Sequence, residues 1–288
     1  MLQLRTVKML LLTLLIPLTH MGVATVACTT NIFANETQHV PYHIVVRNYC
    51  EPRNGQTYLH FHATSGTVQP AQQNVAPIKY SADGTTQELT LAMATDQASK
   101  FNFMFPENAT KSTWRIWWDT IEDNSGSRSQ TLLEGTCEAD RTDQTGKTLN
   151  CWINGSNVDG LSSSVRVDFT NDTFPPIIVK PPNGWQCPER NRPPANVESA
   201  LSFLPQGQAC VSNCSLLDTN QTCCRGPYDT PETCGGDPSP AIKIAAQEAY
   251  SFAYDDDTPY FNGVSTVRPL RAHNFATGAT ICEVSLCY

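Results

Sequence analysis

Charge is scarce in this chain. Only 16% of its 288 residues are Asp, Glu, Lys or Arg, and the 27 acids outnumber the 19 Lys and Arg, for a formal net charge of −8. A surface so poor in cations is unsuited to nucleic acid or anionic membrane, which are held by Lys and Arg. No Gly-x-Ser-x-Gly elbow raises a serine nucleophile, and no glycine-rich loop could cradle a phosphate. No Cys-x-x-Cys pair has zinc spacing, so neither a metal nor another cofactor is expected. No repeat or low-complexity tract stands out. The apolar run at residues 9–18 is too short for a bilayer anchor.

That run is nonetheless informative. Arg5 and Lys8 precede it and small residues fill 22–27, the pattern of a secretory signal peptide cleaved after Ala24 or Ala27. Loss of Arg5 and Lys8 would take the net charge from −8 to −10. Residues 1–27 are therefore read as the signal, 28–39 as an extended arm and 40–288 as one domain, with a secreted, extracellular or cell-wall location. All 12 cysteines remain after cleavage. An even number in an oxidising compartment implies six disulfides rather than metal thiolates. N-glycosylation acceptors stand at Asn35, Asn108, Asn154, Asn171, Asn213 and Asn220.

From Tyr42 the pattern is that of β-structure. YHIVVRNYC and TYLHFHAT are short, alternating, β-branched and aromatic runs, followed by similar ones at 87–94, 100–105 and 113–120. In WRIWWD, Trp114, Ile116 and Trp118 share one face, and Arg115, Trp117 and Asp119 the other. An inward face of a sandwich explains this; an aromatic surface for stacking on sugar rings is the alternative. His60 and His62 also share a strand face, a metal-capable spacing with no placed third ligand. Prolines 175, 176, 181 and 182 interrupt the strands, and DPSPAIKIAAQEA offers a helix start with Ser239 at the N-cap and Pro240 at the first turn.

Residues 210–257, CVSNCSLLDTNQTCCRGPYDTPETCGGDPSPAIKIAAQEAYSFAYDDD, combine Cys-x3-Cys, an adjacent Cys223–Cys224, Tyr-x-x-Pro-x-x-Cys and an aspartate run. Adjacent cysteines need separate partners, so this is a lobe held by several staples. The order of these motifs resembles the C-terminal third of the thaumatin-like (osmotin, PR-5) family. The likeness extends upstream through CWINGSNVDG, TLLEG and the strand ending at Cys50, and downstream to EVSLCY, covering roughly residues 40–288. It implies a mainly β fold: a flattened β-sandwich with a disulfide-rich lobe, about residues 185–260, carrying short helices.

The resemblance also implies a disulfide map. Cys50–Cys287, Cys187–Cys210, Cys214–Cys223 and Cys224–Cys234 follow by motif. Two family bridges between lobe and body are lost in both members, with Ala246 and the vicinity of Gly263 standing where two cysteines would be. Cys137 and Cys151 have no counterpart and are expected to pair with each other. Cys28 and Cys282 are then joined, with a free or intermolecular Cys28 as the alternative.

Members of that family carry an acidic cleft associated with β-1,3-glucan, which some hydrolyse. Carried over by motif, the cleft glutamate falls on Glu134 and an aspartate on Asp255, beside Asp256; Arg128 is the nearest candidate for the cleft arginine. Two further family aspartates fall on Cys151 and Asn154, neither an acid or base, so binding is expected to outlast hydrolysis, which needs two carboxylates. Glu138, Asp140 and Asp143 could substitute. The expected partner is cell-wall β-glucan or another polysaccharide bound by a monomer with no membrane anchor, in an antifungal or defence role. A weak endo-β-1,3-glucanase is one alternative. A module directed at a foreign protein is another, for which Arg268, Arg271 and His273 in the tract 261–280 form a basic cluster, read most simply as a solvated loop.

Overall fold

A computed structural model describes residues 42–51, 56–71, 77–82, 87–105, 111–120, 130–140, 142, 148–170, 175–193, 203–204, 209–234, 239–255, 273–276 and 279–288, with backbone alone for 77–82 and 273–276. The expected signal and arm, Cys28, Arg128, Asp143, Asp256, Arg268, Arg271, Asn35, Asn108 and Asn171 lie outside the described residues.

Two sheets carry the domain. One has six strands in the order β12 (Ile177–Val179), β11 (Val165–Phe169), β16 (Ala279–Leu286), β1 (Tyr42–Asn48), β6 (Ala98–Met104) and β3 (Thr67–Pro70). The other runs β14 (Ala249–Tyr250), β9 (Thr148–Ser156), β8 (Leu132–Ala139), β7 (Lys111–Asp119), β2 (Thr57–Ser65), β5 (Gln87–Met93) and β4 (Pro77–Ala82), with β15 (His273–Ala276) also on β9. This is the mainly β sandwich that the alternating runs imply. Among the described residues no helix is long and apolar enough to cross a membrane.

Alternation explains the core. In β1, Tyr42, Ile44 and Val46 are buried while the residues between them are half-buried. Phe61 of β2 meets Phe101 of β6 with ring centroids 4.7 Å apart, and Phe103 meets Trp114 of β7 at 5.1 Å. The Trp114 indole N–H donates to Tyr42 Oη at 2.8 Å, satisfying a polar atom that would otherwise be costly between the sheets. The face formed by Trp114, Ile116 and Trp118 is thus core, as the simpler reading of WRIWWD had it. Gly135 of β8 completes this packing: a Cβ there would meet Trp114 Cζ2 at 2.2 Å, so only glycine lets the indole lie against the strand.

Five disulfides staple the fold: Cys50–Cys287, Cys137–Cys151, Cys187–Cys210, Cys214–Cys223 and Cys224–Cys234. These coincide with five of the pairings expected above. The sixth needs correction, because Cys282 is unbridged and fully buried. It shares the inward face of β16 with Val284 and Leu286, in register with Ile44 and Phe169, where a thiol behaves as a small apolar side chain.

The lobe is stapled loop with short helices: α1 (Asn213–Leu217), α2 (Pro231–Cys234) and α3 (Pro240–Ala245). Its three bridges span 23, 9 and 10 residues. Helix α3 starts at Pro240 as expected, but the Ser239 hydroxyl makes no side-chain cap; it accepts from Asn213 N at 2.8 Å, tying α3 to α1. The strand β13 (Cys210–Val211) pairs with β10 (Gly160–Leu161), and β14 runs parallel to the end of β9.

Candidate carbohydrate site

The outer face of the larger sheet carries a row of polar residues set by strand register. Glu88 of β5 stands opposite His62 of β2, His62 opposite Arg115 of β7, Arg115 opposite Glu134 of β8, and Glu134 opposite Asn154 of β9. Directly opposed residues have Cβ atoms about 4.5–5.5 Å apart, so an acid stands at each outer side of the adjacent His62 and Arg115, with the neutral Asn154 closing the row. His62 Nδ1 lies 3.6 Å from Glu88 Oε1.

At the end of this row the surface sinks into a hollow of about 210 Å³, lined by Thr64, Thr113, Arg115, Glu134, Thr136, Trp152 and Asn154. Trp152 is 36% exposed, whereas Trp114, Trp117 and Trp118 are all buried. It faces outward because Cys151 and Ile153 on either side face the core. Cys151 is bridged to Cys137 directly across the β8–β9 pair, which fixes the two strands bearing Glu134, Trp152 and Asn154 to one another. The far edge of β9 is covered by β15 at residues 148–151 and by β14 at 155–156. Trp152 and Asn154 stand at the break between those two partners. The tract 261–280, read most simply from sequence as a solvated loop, thus supplies a strand beside the site at His273–Ala276.

Asp255 has a different position from the one expected. It is 5% exposed, and its Oδ2 accepts from Lys243 Nζ at 2.7 Å and from Ser251 N at 2.9 Å. Lys243 is itself 2% exposed and also donates to the carbonyl of Ala249. The carboxylate therefore holds the turn after β14 to α3, and it is not among the residues lining the hollow with Glu134. A buried carboxylate must be paired, and an inward lysine satisfies it. Sequence motif alone gave Asp255 no visible partner, since Lys243 lies twelve residues away on a separate element.

The two strand histidines divide as well. His60 is sealed, with Nδ1 3.1 Å from Thr90 Oγ1, Nε2 3.2 Å from Asp119 Oδ1 and Trp117 stacked at 5.4 Å. Gln130 Nε2 donates to the other Asp119 oxygen at 2.5 Å. Among the described residues no group of three metal-capable side chains occurs. Of the substitute acids, Glu138 follows Glu134 on the same face of β8, and Asp140 accepts from Thr142 N at 2.8 Å.

Arg115 and Trp152 are the residues that sequence reading did not assign to a site. Sequence reading placed Arg115 on the strand face opposite Trp114, but its apposition to Glu134 depends on strand register; the signal for Trp152 was its place two residues before Asn154 on the same strand face. A second cavity, of about 340 Å³, is lined by Lys180, Trp185, Phe203, Leu204, Cys287 and Tyr288 among others. Among the described residues that line it there is no Asp or Glu side chain of the kind that Glu134 brings to the hollow.

Comparison with known proteins agrees with the sequence resemblance. Pathogenesis-related protein 5 of Arabidopsis thaliana is 52% identical over 54 residues, 18% of this chain and 23% of that protein. The pathogenesis-related thaumatin-like protein 3.5 of Cryptomeria japonica is 42% identical over 64 residues, 21% and 27% of the two chains. A glucan endo-1,3-beta-glucosidase of Prunus avium is 36% identical over 89 residues, 28% of this chain and 36% of that one. The chain thus spans about a quarter to a third of the length of these curated relatives. The model of the Thaumatin family matches residues 121–268, just over half of the sequence and most of the site and lobe, and the chain belongs to that family.

Proposed function

We propose that this protein is a secreted, defence-related member of the thaumatin family that binds β-1,3-glucan or a related cell-wall polysaccharide, as a monomer, on the outer face of its larger sheet. The observation that carries the reading is the exposed Trp152 beside Glu134, Arg115 and Asn154. An indole offers an apolar face to the C–H side of a sugar ring, while flanking carboxylate, guanidinium and amide groups exchange hydrogen bonds with its hydroxyls. The similarity to a protein named glucan endo-1,3-beta-glucosidase and to proteins named pathogenesis-related supports the ligand class and the defence role.

Binding without hydrolysis is the form of the reading that the acids favour. Two catalytic carboxyls must lie about 5–9.5 Å apart across the glycosidic bond. Glu138, four residues along β8, is about 13 Å from Glu134, and Glu88, three strands away, about 14 Å. The nearest cross-strand neighbours of Glu134 are Arg115 and Asn154. A weak endo-β-1,3-glucanase therefore requires an acid from outside this row. A protein-directed role draws support from the exposed Leu216 and Leu217 on α1 and Ile244 on α3.

The test is retention of the purified protein on insoluble β-1,3-glucan, with reducing sugar assayed in the supernatant. Retention lost in Trp152→Ala and weakened in Glu134→Gln, without sugar release, supports a lectin-like site. Sugar release abolished by Glu134→Gln moves the reading to hydrolase. No retention by the folded, unglycosylated wild type sinks it and turns attention to the exposed Leu216, Leu217 and Ile244 of the lobe.

A further inference from the structure

Residues 152–156 read Trp-Ile-Asn-Gly-Ser, and Asn154-Gly155-Ser156 is an N-glycosylation acceptor. Because strand side chains alternate, Trp152 and Asn154 rise from the same face of β9, about 7 Å apart along the strand. The two line one hollow, Trp152 exposed and Asn154 half-buried. Thr136 stands opposite Trp152 and Glu134 opposite Asn154, so a hydroxyl and a carboxylate flank the pair. The other described acceptors lack this arrangement. Two residues before Asn213 is Val211, which is buried, and Asn213 Oδ1 already accepts from Asn191 Nδ2 at 2.9 Å. Two residues before Asn220 is Asp218, which offers no apolar ring face.

We infer that Trp152 is the seat for the first N-acetylglucosamine of a glycan carried on Asn154, and that this glycan covers the face described above. The masking half of the inference rests on the carbohydrate-binding reading; the seat does not. A sugar held two residues from an outward indole can lay its C–H face on the ring, while Glu134 and Thr136 offer acceptors to its acetamido N–H and hydroxyls. The five disulfides suit the oxidising compartment in which such glycans are added. In the transfer, Asn154 Nδ2 forms a bond to C1 of a polyprenyl-diphosphate-linked oligosaccharide. The C1–oxygen bond to the diphosphate breaks, the polyprenyl diphosphate departs with the bonding pair, and the amide nitrogen gives up one proton. Glycosylated chains then present their own sugar where unglycosylated chains present Trp152 and Glu134.

The experiment uses the full chain secreted from an N-glycosylating host and the same chain from an oxidising host that adds no glycan. Glycopeptide mass spectrometry should find Asn154 occupied in the first. Thermal unfolding should show the glycosylated protein about 2–4 °C above its Asn154→Gln variant. That gain should vanish in a Trp152→Ala background and persist in Trp152→Phe. The unglycosylated wild type should be retained on insoluble β-1,3-glucan about tenfold more strongly than the glycosylated form. An unoccupied Asn154, or a thermal gain untouched by Trp152→Ala, overturns the seat. Equal retention of the two glycoforms overturns the masking and leaves the glucan reading standing. No retention of either form, with the thermal coupling intact, sinks the glucan reading and upholds the seat.

Discussion

Lys243 Nζ lies 2.7 Å from Asp255 Oδ2, with both side chains almost sealed from solvent. Removing one partner would strand the other charge in the interior. Lys243→Ala is expected to cost about 3–5 kcal/mol, and the paired change Lys243→Met/Asp255→Leu distinctly less, because no lone charge remains. Denaturant titration of the variants checks this. If Asp255→Asn folded normally yet lost glucan retention, Asp255 would be a ligand residue after all.

The bridges differ in the length of chain they close. Cys50–Cys287 joins residues 237 apart and Cys137–Cys151 residues 14 apart. On the chain-entropy account their removal should cost about 5 and about 3 kcal/mol respectively. The double Cys→Ala variants, compared by denaturant unfolding, should keep that order. The shorter bridge has a further consequence: since it ties β8 to β9 under the hollow, its loss should weaken glucan retention beyond what the longer bridge's loss does.

Burial holds the His43 imidazole below its ordinary value; the hydrogen bond with Asn102 opposes this in part, and the nearby Lys100 charge adds to it. The folded protein therefore binds this proton less readily than the unfolded chain. The stability involved is complete above the unfolded value of about 6.5 and is lost as pH falls through the lower folded value. His43→Gln should remove that component, so the wild-type minus variant stability difference should decline between about pH 7 and about pH 5. A difference that rises on acidification would reverse the assignment.

Burial also pushes the Cys282 thiol up, away from the reactive thiolate. Iodoacetamide should leave the Cys282 peptide unlabelled in the native protein and label it in denaturant. Recovery of a disulfide-linked Cys28–Cys282 peptide would restore the pairing expected from sequence.

How legible these features were depends on the range of the interaction involved. The strands beginning at Tyr42, Thr57 and Gln87 were readable because alternation is local, and the bridges of the lobe because their cysteines lie within motifs. Cys282 was misread because counting cysteines says nothing about the direction in which each points. At Cys282 the strand turns the thiol inward, whereas Cys287 sits past the strand end in a left-handed conformation, φ 57°, from which it reaches Cys50. Asp255 shared a motif with an acidic cleft but is neutralised by a lysine on another element. Arg115 met Glu134 only once β7 and β8 were in register.

By itself the sequence determined the short alternating strands and a lobe held by several cysteine staples; the flattened β-sandwich followed from the family resemblance that those motifs carry. The same resemblance pointed to Glu134 as the acid to watch and to Asn154 as a place where the family has a carboxylate. Tertiary structure alone decided which tryptophan faces outward, which aspartate is consumed by an ion pair and which cysteine stays a thiol. The physical reason is that burial and cross-strand apposition are set by contacts between segments far apart in the chain. No window of sequence contains both partners.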